Sequence, residues 1–169
     1  IGSGIINGSI DGNAGNNTLD YSNYNLAAVI NLQSLTATGM NAFSDMQILK
    51  GSAQSDTIIG ADIDTVFRIT GVNAGTINDG FSFSGIENLS GGSATNTLDY
   101  STYDAAVTID LQNSSATGLS SFNGIDILVG SIYNDTIIGA NINTTFQITG
   151  VNAGTINDAI SFSAIENMS

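Results

Sequence analysis

The chain has 169 residues, with 2 Lys and Arg against 15 Asp and Glu, and no Cys, His, Pro or Trp. These counts exclude a disulfide framework, Cys- or His-based metal sites and a histidine general base. The formal net charge of −13, with Lys50 and Arg68 as the only cations, argues against nucleic acid and anionic membranes as partners, and the apolar runs of about four residues are too short to cross a bilayer.

The predicted elements, in chain order, are short strands with no helix. Residues 28–32 and 107–111 alternate apolar and variable side chains, as do residues 67–70, and this is the period of a β-strand. Apolar residues also recur 20 residues apart: Ile10 to Ile30, Leu49 to Ile69, Leu89 to Ile109 and Leu128 to Ile148. Gly, Asn, Ser and Asp bound these segments, which is typical of strands joined by turns.

Internal repetition is the strongest signal. Residues 17–90 and 96–169 align without a gap at 46 identities in 74 positions, so that Asn17 corresponds to Asn96 and Ser90 to Ser169. We therefore divide the chain into the end of a preceding repeat (1–16), repeat 1 (17–95) and repeat 2 (96–169). The chain stops inside a repeat, so we expect either a window cut from a longer array or a unit of an end-to-end fibre.

Each repeat contains two similar halves. Three sets of residues recur at steps of 39 or 40: a turn set (Asn17, Asp56, Asn96, Asp135), a Phe set (Phe43, Phe83, Phe122, Phe162) and an Ile set (Ile30, Ile69, Ile109, Ile148). Short strands on a nested period predict an all-β fold, a parallel β-solenoid of about 20-residue coils. The Phe and Ile sets are expected to stack in its core, in a rod roughly 40 Å long. The alternative is a tandem pair of β-sandwich domains.

The repeats also resemble a known class of proteins. The strings FSFSGIENLSGGSATNTLDYSTY and ILVGSIYNDTIIGA resemble the long repeat regions of giant secreted bacterial surface proteins, of the adhesin, haemagglutinin-like and RTX-like kinds. The resemblance implies an extracellular stalk or matrix fibre. The resemblance also makes calcium a candidate ligand, because RTX turns bind Ca²⁺ through an Asp and backbone carbonyls.

Asp56 and Asp135 are the weak calcium candidates. Residues 51–58 and 130–137 keep the first Gly, the Asp and the apolar residue of an RTX nonapeptide, but no two such turns are consecutive. The competing interpretation, which we favour, is that these Asp and Asn side chains bond backbone amides in plain turns. We expect no cofactor, with calcium as the open alternative.

Three other functions depend on particular residues. A hydrolase needs two carboxylates, and Asp62 and Asp64 could share a face, but they are replaced by Asn141 and Asn143 in repeat 2, so we predict no catalytic residue and no enzyme. The motif Tyr-x-x-Tyr recurs in both repeats and could bind sugars, although packing of Tyr21 and Tyr100 at a strand corner is favoured. Regular Thr rows for ice binding are absent.

These observations predict a structural, non-catalytic segment of an acidic extracellular protein on the bacterial cell surface. It would form a stiff rod, stalk or filament in adhesion or matrix. The expected partners are repeats of the same kind joined end to end, with cell-surface glycans as an alternative. A calcium-binding RTX-like adhesin module and a carbohydrate-binding solenoid remain the alternative functions.

Overall fold

The computed structural model describes residues 5–169, and these fold as 21 short strands with no helix. Nothing in this part of the chain is a helix long and apolar enough to cross a membrane. The prediction of an all-β parallel β-solenoid is confirmed: the stacked coils make about five turns.

The strands form two faces. Face A contains β1 (Ile6–Asp11), β3 (Val29–Asn31), β4 (Thr36–Ala37), β5 (Met40–Ser44), β7 (Thr57–Ile59), β11 (Asn88–Ser90), β13 (Thr108–Asp110), β14 (Ser115–Ala116), β15 (Ser121–Asn123), β17 (Thr136–Ile138) and β21 (Asn167–Met168). Face B contains β2 (Thr18–Asp20), β6 (Ile48–Lys50), β8 (Thr65–Gly71), β9 (Ala74–Ile77), β10 (Phe81–Ser84), β12 (Asn96–Asp99), β16 (Ile127–Val129), β18 (Phe146–Gly150), β19 (Ala153–Ile156) and β20 (Ile160–Ser163).

Face B is one ladder of ten hydrogen-bonded strands, and face A consists of a seven-stranded and a four-stranded ladder that one bridge joins. On face A the order is β1-β5-β4-β3-β7-β11-β15, and an antiparallel bridge between Ala116 and Leu119 continues it into β14-β13-β17-β21. On face B the order is β2-β6-β10-β9-β8-β12-β16-β20-β19-β18. Side chains of both faces join a single buried cluster. At about 4.8 Å per strand, eleven strands make a rod about 48 Å long.

The predicted coil length is wrong, because the coils are longer than the sequence period suggested. Parallel partners such as Ile30 with Ile58 and Leu49 with Phe83 stand in successive coils, and the coils are about 31 residues apart. Ile10 and Ile30, which mark the shorter sequence period, do share a face, but β5 and β4 lie between them in the ladder. The shorter period therefore links strands that are not neighbours.

The intervening strands belong to three-stranded antiparallel meanders. One meander is β8-β9-β10, where Phe67 pairs with Ile77 and Ile77 with Phe81. The same arrangement recurs as β3-β4-β5, β13-β14-β15 and β18-β19-β20. Each half of a repeat holds five strands, one meander and two single strands. Because this number is odd, the meander of one half lies on the opposite face from the meander of the next half.

Strands therefore return to the same face only after the full repeat, in which Asn17 is equivalent to Asn96. It advances each ladder by five strands, as from β8 to β18 or from β7 to β17. Both ladders run from repeat 1 into repeat 2, because β8 pairs with β12 on face B and β11 pairs with β15 on face A. Two separate β-sandwich domains are thereby excluded.

The Phe set is buried as predicted, with 2 to 6% of each residue exposed. The expected stacking of Phe on Phe is wrong, because successive members lie on opposite faces. Phe43 pairs with Ile10 on face A, whereas Phe83 pairs with Leu49 on face B.

The Ile set is buried in three of its four members. Ile30, Ile69 and Ile109 are 0% exposed, but Ile148 is 58% exposed. The prediction for Ile148 is wrong because its strand, β18, ends the face-B ladder within the described residues.

Candidate functional site

The turn set places polar side chains at four equivalent turns, and three of these side chains are buried. Each member stands just before a strand or at its first residue: Asn17 before β2, Asp56 before β7, Asn96 at the start of β12 and Asp135 before β17. Asp56 and Asp135 are 0% exposed and Asn96 is 1% exposed. Burial of these polar groups requires hydrogen-bond partners.

Asp56 accepts hydrogen bonds with both carboxylate oxygens. Its Oδ1 accepts from the backbone N–H of Ala28 at 2.5 Å, and its Oδ2 accepts from the backbone N–H of Ser52 at 2.5 Å. The Ser52 hydroxyl donates at 3.0 Å. This carboxylate links its own turn to the preceding coil, because Ala28 directly precedes β3.

Asp135 has the same arrangement in repeat 2. It accepts from the backbone N–H of Val107 at 2.7 Å, from that of Ser131 at 2.5 Å and from the Ser131 hydroxyl at 2.9 Å. Glycine at position 130 lets the chain pass close to the carbonyl oxygen of Ala164, since a Cβ there would overlap that oxygen. The favoured interpretation, that these residues bond backbone amides in turns, agrees with this geometry.

Asn17 and Asn96 occupy the alternate turns and act mainly as donors. The Nδ2 of Asn96 donates to the carbonyls of Gly92 at 3.0 Å and Ala94 at 2.6 Å. The Nδ2 of Asn17 donates to the carbonyl of Asp45 at 2.8 Å. The Asp and Asn members are therefore equivalent by position and different in hydrogen-bonding role.

A second polar set caps the same turns, and sequence reasoning missed it. The backbone N–H of Asp56 donates to Glu87 Oε2 at 2.8 Å, and that of Asp135 to Glu166 Oε2 at 2.8 Å. The remaining two caps are Gln47 on the N–H of Asn17 and Asp126 on that of Asn96. Positions 47, 87, 126 and 166 recur at the same half-repeat steps as the Phe set, so the signal was present.

The Asp turns do not fit a calcium site. Both oxygens of each buried carboxylate already accept hydrogen bonds from N–H or O–H donors, and a cation would have to displace those donors. Calcium requires six to eight oxygen ligands. Among residues 5–169 no cluster of three or more His, Cys, Asp or Glu side chains is placed to hold a metal ion.

The Tyr-x-x-Tyr motifs form edge-to-face pairs. The ring centroids of Tyr21 and Tyr24 lie 5.6 Å apart, and those of Tyr100 and Tyr103 lie 5.5 Å apart. The hydroxyls of Tyr21 and Tyr100 donate to backbone carbonyls, those of residues 38 and 117. The inner rings are buried, at 7% and 0% exposed, as the packing interpretation expects.

Burial alters the acidity of the inner tyrosines. It raises the pKa of Tyr21 to about 12, with a smaller contribution from Tyr24. Burial likewise raises the pKa of Tyr100 well above its ordinary value. Both phenols therefore stay neutral over the physiological range.

The two cations form ion pairs along the ladder. Arg68 donates from Nε to Asp99 at 3.0 Å and from Nη1 to Asp79 at 2.6 Å. These contacts, led by the hydrogen bond to Asp99, raise the pKa of Arg68. Lys50 lies 3.5 Å from Asp20 across β6 and β2. Both the Arg68–Asp99 and the Lys50–Asp20 pair join neighbouring strands of face B.

Two clefts lie beside the meanders. One, of about 350 Å³, is lined by Phe122, Ile125 and Ile156. The other, of about 380 Å³, is lined by Phe43, Met46 and Phe81. They occupy equivalent positions in the two repeats, and their apolar walls follow from the meander edges.

The fold and these sites define a tandem-repeat β-solenoid in which polar side chains hydrogen-bond the backbone of the turns and of other coils. No protein-family model, curated protein or solved structure matches the chain.

Proposed function

We propose that this chain is a structural, non-catalytic segment of a bacterial cell-surface protein, in which it acts as a stiff rod or stalk. The observation that carries the proposal is the pair of ladders, which continue from repeat 1 into repeat 2 and advance five strands with every repeat. A fold that grows along one axis at a constant increment is suited to setting a distance.

Stiffness follows from the direction of the bonds. Backbone hydrogen bonds between strands lie along the rod axis, and the buried cluster is continuous beneath them. The turn set adds side-chain bonds between coils, such as that from Ala28 to Asp56. Bending or extending the rod must break several of these contacts together.

The extracellular location rests on the resemblance of the repeats to secreted surface proteins. Two features support it. The single Lys and the single Arg leave few cleavage points for trypsin-like proteases. The net charge of −13 keeps long rods apart in solution.

Insertion of one further repeat tests the rod. A second copy of residues 17–95 placed between Thr95 and Asn96 keeps the repeat phase. Small-angle scattering should show the maximum dimension increasing by about 24 Å, five strand spacings, with an unchanged cross-section. A Gly/Ser insert of equal length is the matched control and should add flexibility without that increment. Swelling in all dimensions would contradict the proposal.

Binding assays separate a spacer from an adhesive surface. A passive rod should bind neither a glycan array nor cells. Carbohydrate recognition is the alternative, and it would be supported by glycan binding that Tyr24→Ala and Tyr103→Ala abolish.

A further inference from the structure

The two repeats differ sharply in burial at one equivalent strand. In β8, Phe67 and Ile69 are 0% exposed, whereas in β18 the equivalent Ile148 is 58% exposed. The turn that follows shows the same trend, with Val72 at 74% and Val151 at 92% exposed. At the far end of the described chain, β18 therefore exposes an apolar side chain whose equivalent on β8 is covered at the junction between the repeats.

The covering elements at that junction are visible in the chain. Strand β12 lies parallel to β8, with Leu98 opposite Phe67 and Asp99 opposite Arg68. Beside it, the backbone N–H of Asn73 donates to the carbonyl oxygen of residue 118 at 2.8 Å. These elements have equivalents one repeat earlier, at β2 and Gly39.

Those equivalents lie at the opposite end of the rod. Strand β2 ends the face-B ladder and, within residues 5–169, pairs only with β6. Next to it is an open, mainly apolar cleft of about 480 Å³ whose walls include Leu19, Tyr21 and Met40. The carbonyl of Gly39 accepts a hydrogen bond from the N–H of Ile6 at 2.7 Å, as the equivalent carbonyl in repeat 2 accepts one from Asn73.

We propose that the β18 end binds the β2 end of a second copy of this chain, head to tail. Strand β2 of the second copy extends face B beside β18, with its Leu19 opposite Phe146 and its Asp20 opposite Gln147. The register is that of β12 on β8. The turn that contains Val151 lies beside this cleft with the Val151 side chain exposed, as Val72 is at the internal junction. The backbone N–H of the next residue takes the place of that of Ile6 at the Gly39 carbonyl.

The N-terminal strand occupies part of the site for this neighbour. Strand β1 pairs Ile10 with Phe43, as β11 pairs Leu89 with Phe122. Strand β21 is also an equivalent of β11, since Met168 pairs with Ile137 as Leu89 does with Ile58. At a head-to-tail junction, β1 of one copy and β21 of the other would occupy the same place in face A, so one of these strands must detach from its partner strand.

One charge pair is missing from the proposed junction. Arg68 bonds Asp99 between the repeats, but repeat 2 has Gln147 at the equivalent position, facing Asp20 of the second copy. The contact is therefore weaker than the internal one, and Gln147→Arg should strengthen it.

Sedimentation over a range of concentrations, with electron microscopy, tests the contact. The parent chain should associate reversibly into end-to-end rods. Ile148→Asp should weaken association by about tenfold or more, because it places a charge in an apolar contact. Ile132→Asp is the matched control, since Ile132 is 84% exposed and its equivalent in repeat 1, Ala53, stays exposed at the internal junction; it should change nothing. Thermal unfolding of dilute Ile148→Asp should match the parent.

Two further variants should strengthen association. Gln147→Arg should tighten it by about two- to fivefold, and salt should reverse this gain. Deletion of residues 1–11 removes the competing β1 and should also promote association. A chain that stays monomeric up to millimolar concentration, or association lost in Ile132→Asp and retained in Ile148→Asp, would overturn the proposal. A monomer that is still a rod about 48 Å long would leave the proposed function intact.

Discussion

At the scale of single residues, the turn set shows how equivalent positions take different roles. The sequence spacing located all four members, and it favoured hydrogen bonding to the backbone. It could not tell that the Asp56 carboxylate accepts from Ala28 and Ser52, while the Asn96 side-chain amide donates to two carbonyls. That difference depends on which backbone atoms face the side chain, and those atoms come from other coils or from the turn itself.

Reciprocal exchange of these residues tests their roles. Asp56→Asn turns an amide N–H₂ toward N–H donors, and Asn96→Asp turns a carboxylate toward carbonyl oxygens. Each should lower the free energy of unfolding by about 1–3 kcal/mol, because a buried polar group loses its partner. Urea unfolding measures this. Asp62→Asn, at an exposed position where repeat 2 has Asn141, is the control; an equal loss there would contradict the assignment.

The buried tyrosines predict sensitivity to alkali. The pKa of Tyr21 is raised from 10.0 to about 12 in the folded chain, and that of Tyr100 is raised in the same direction. The unfolded chain therefore loses these protons first, and the stabilisation is complete below about pH 10 and disappears as the pH rises through about 12. Denaturant titrations at increasing pH should show this loss. Tyr21→Phe should reduce the slope, and an unchanged slope in that variant would refute the expectation.

At the scale of elements, the meander is the feature that sequence reasoning missed. The identical string GVNAGTIND contains its two turns: Asn73 has φ 53°, and Asn78 and Asp79 have φ 48° and 52°. Asn and Asp at positive φ are typical of hairpin turns. The segment between them is the central strand β9, so a hairpin signal was present inside the motif that also marks the repeat.

The central strand requires glycine where the chains approach closely. A Cβ on Gly75 would overlap the carbonyl oxygen of Arg68 and lie 2.8 Å from the Phe83 ring. Gly75→Ala should therefore lower the free energy of unfolding by about 1–3 kcal/mol through overpacking. Gly80→Ala is the matched control, because its nearest neighbours are 3.8 Å away. Thermal unfolding compares the two, and equal stability would refute close packing at β9.

At the scale of the whole molecule, the charge balance bears on calcium. The chain carries 15 carboxylates and two cations, and the cations pair with Asp20, Asp79 and Asp99. The buried Asp56 and Asp135 already hold hydrogen-bond donors. We expect millimolar calcium and EGTA to give melting temperatures within a few degrees of each other, by screening alone. A large increase with calcium, lost in Asp135→Asn, would show that the turns rearrange around the metal.

The sequence by itself determined the β class, the long repeat, the burial of the Phe set and the positions of the turn residues, because each depends on local pattern or on self-similarity. Tertiary structure alone decided the length of the coil, the meanders, the alternation between faces and the exposure of Ile148. The physical reason is that periodicity reports equivalent environments, not neighbours. Ile10 and Ile30 repeat each other, yet the backbone hydrogen bonds of β5 and β4 stand between them, and only the paired strands show which residues touch.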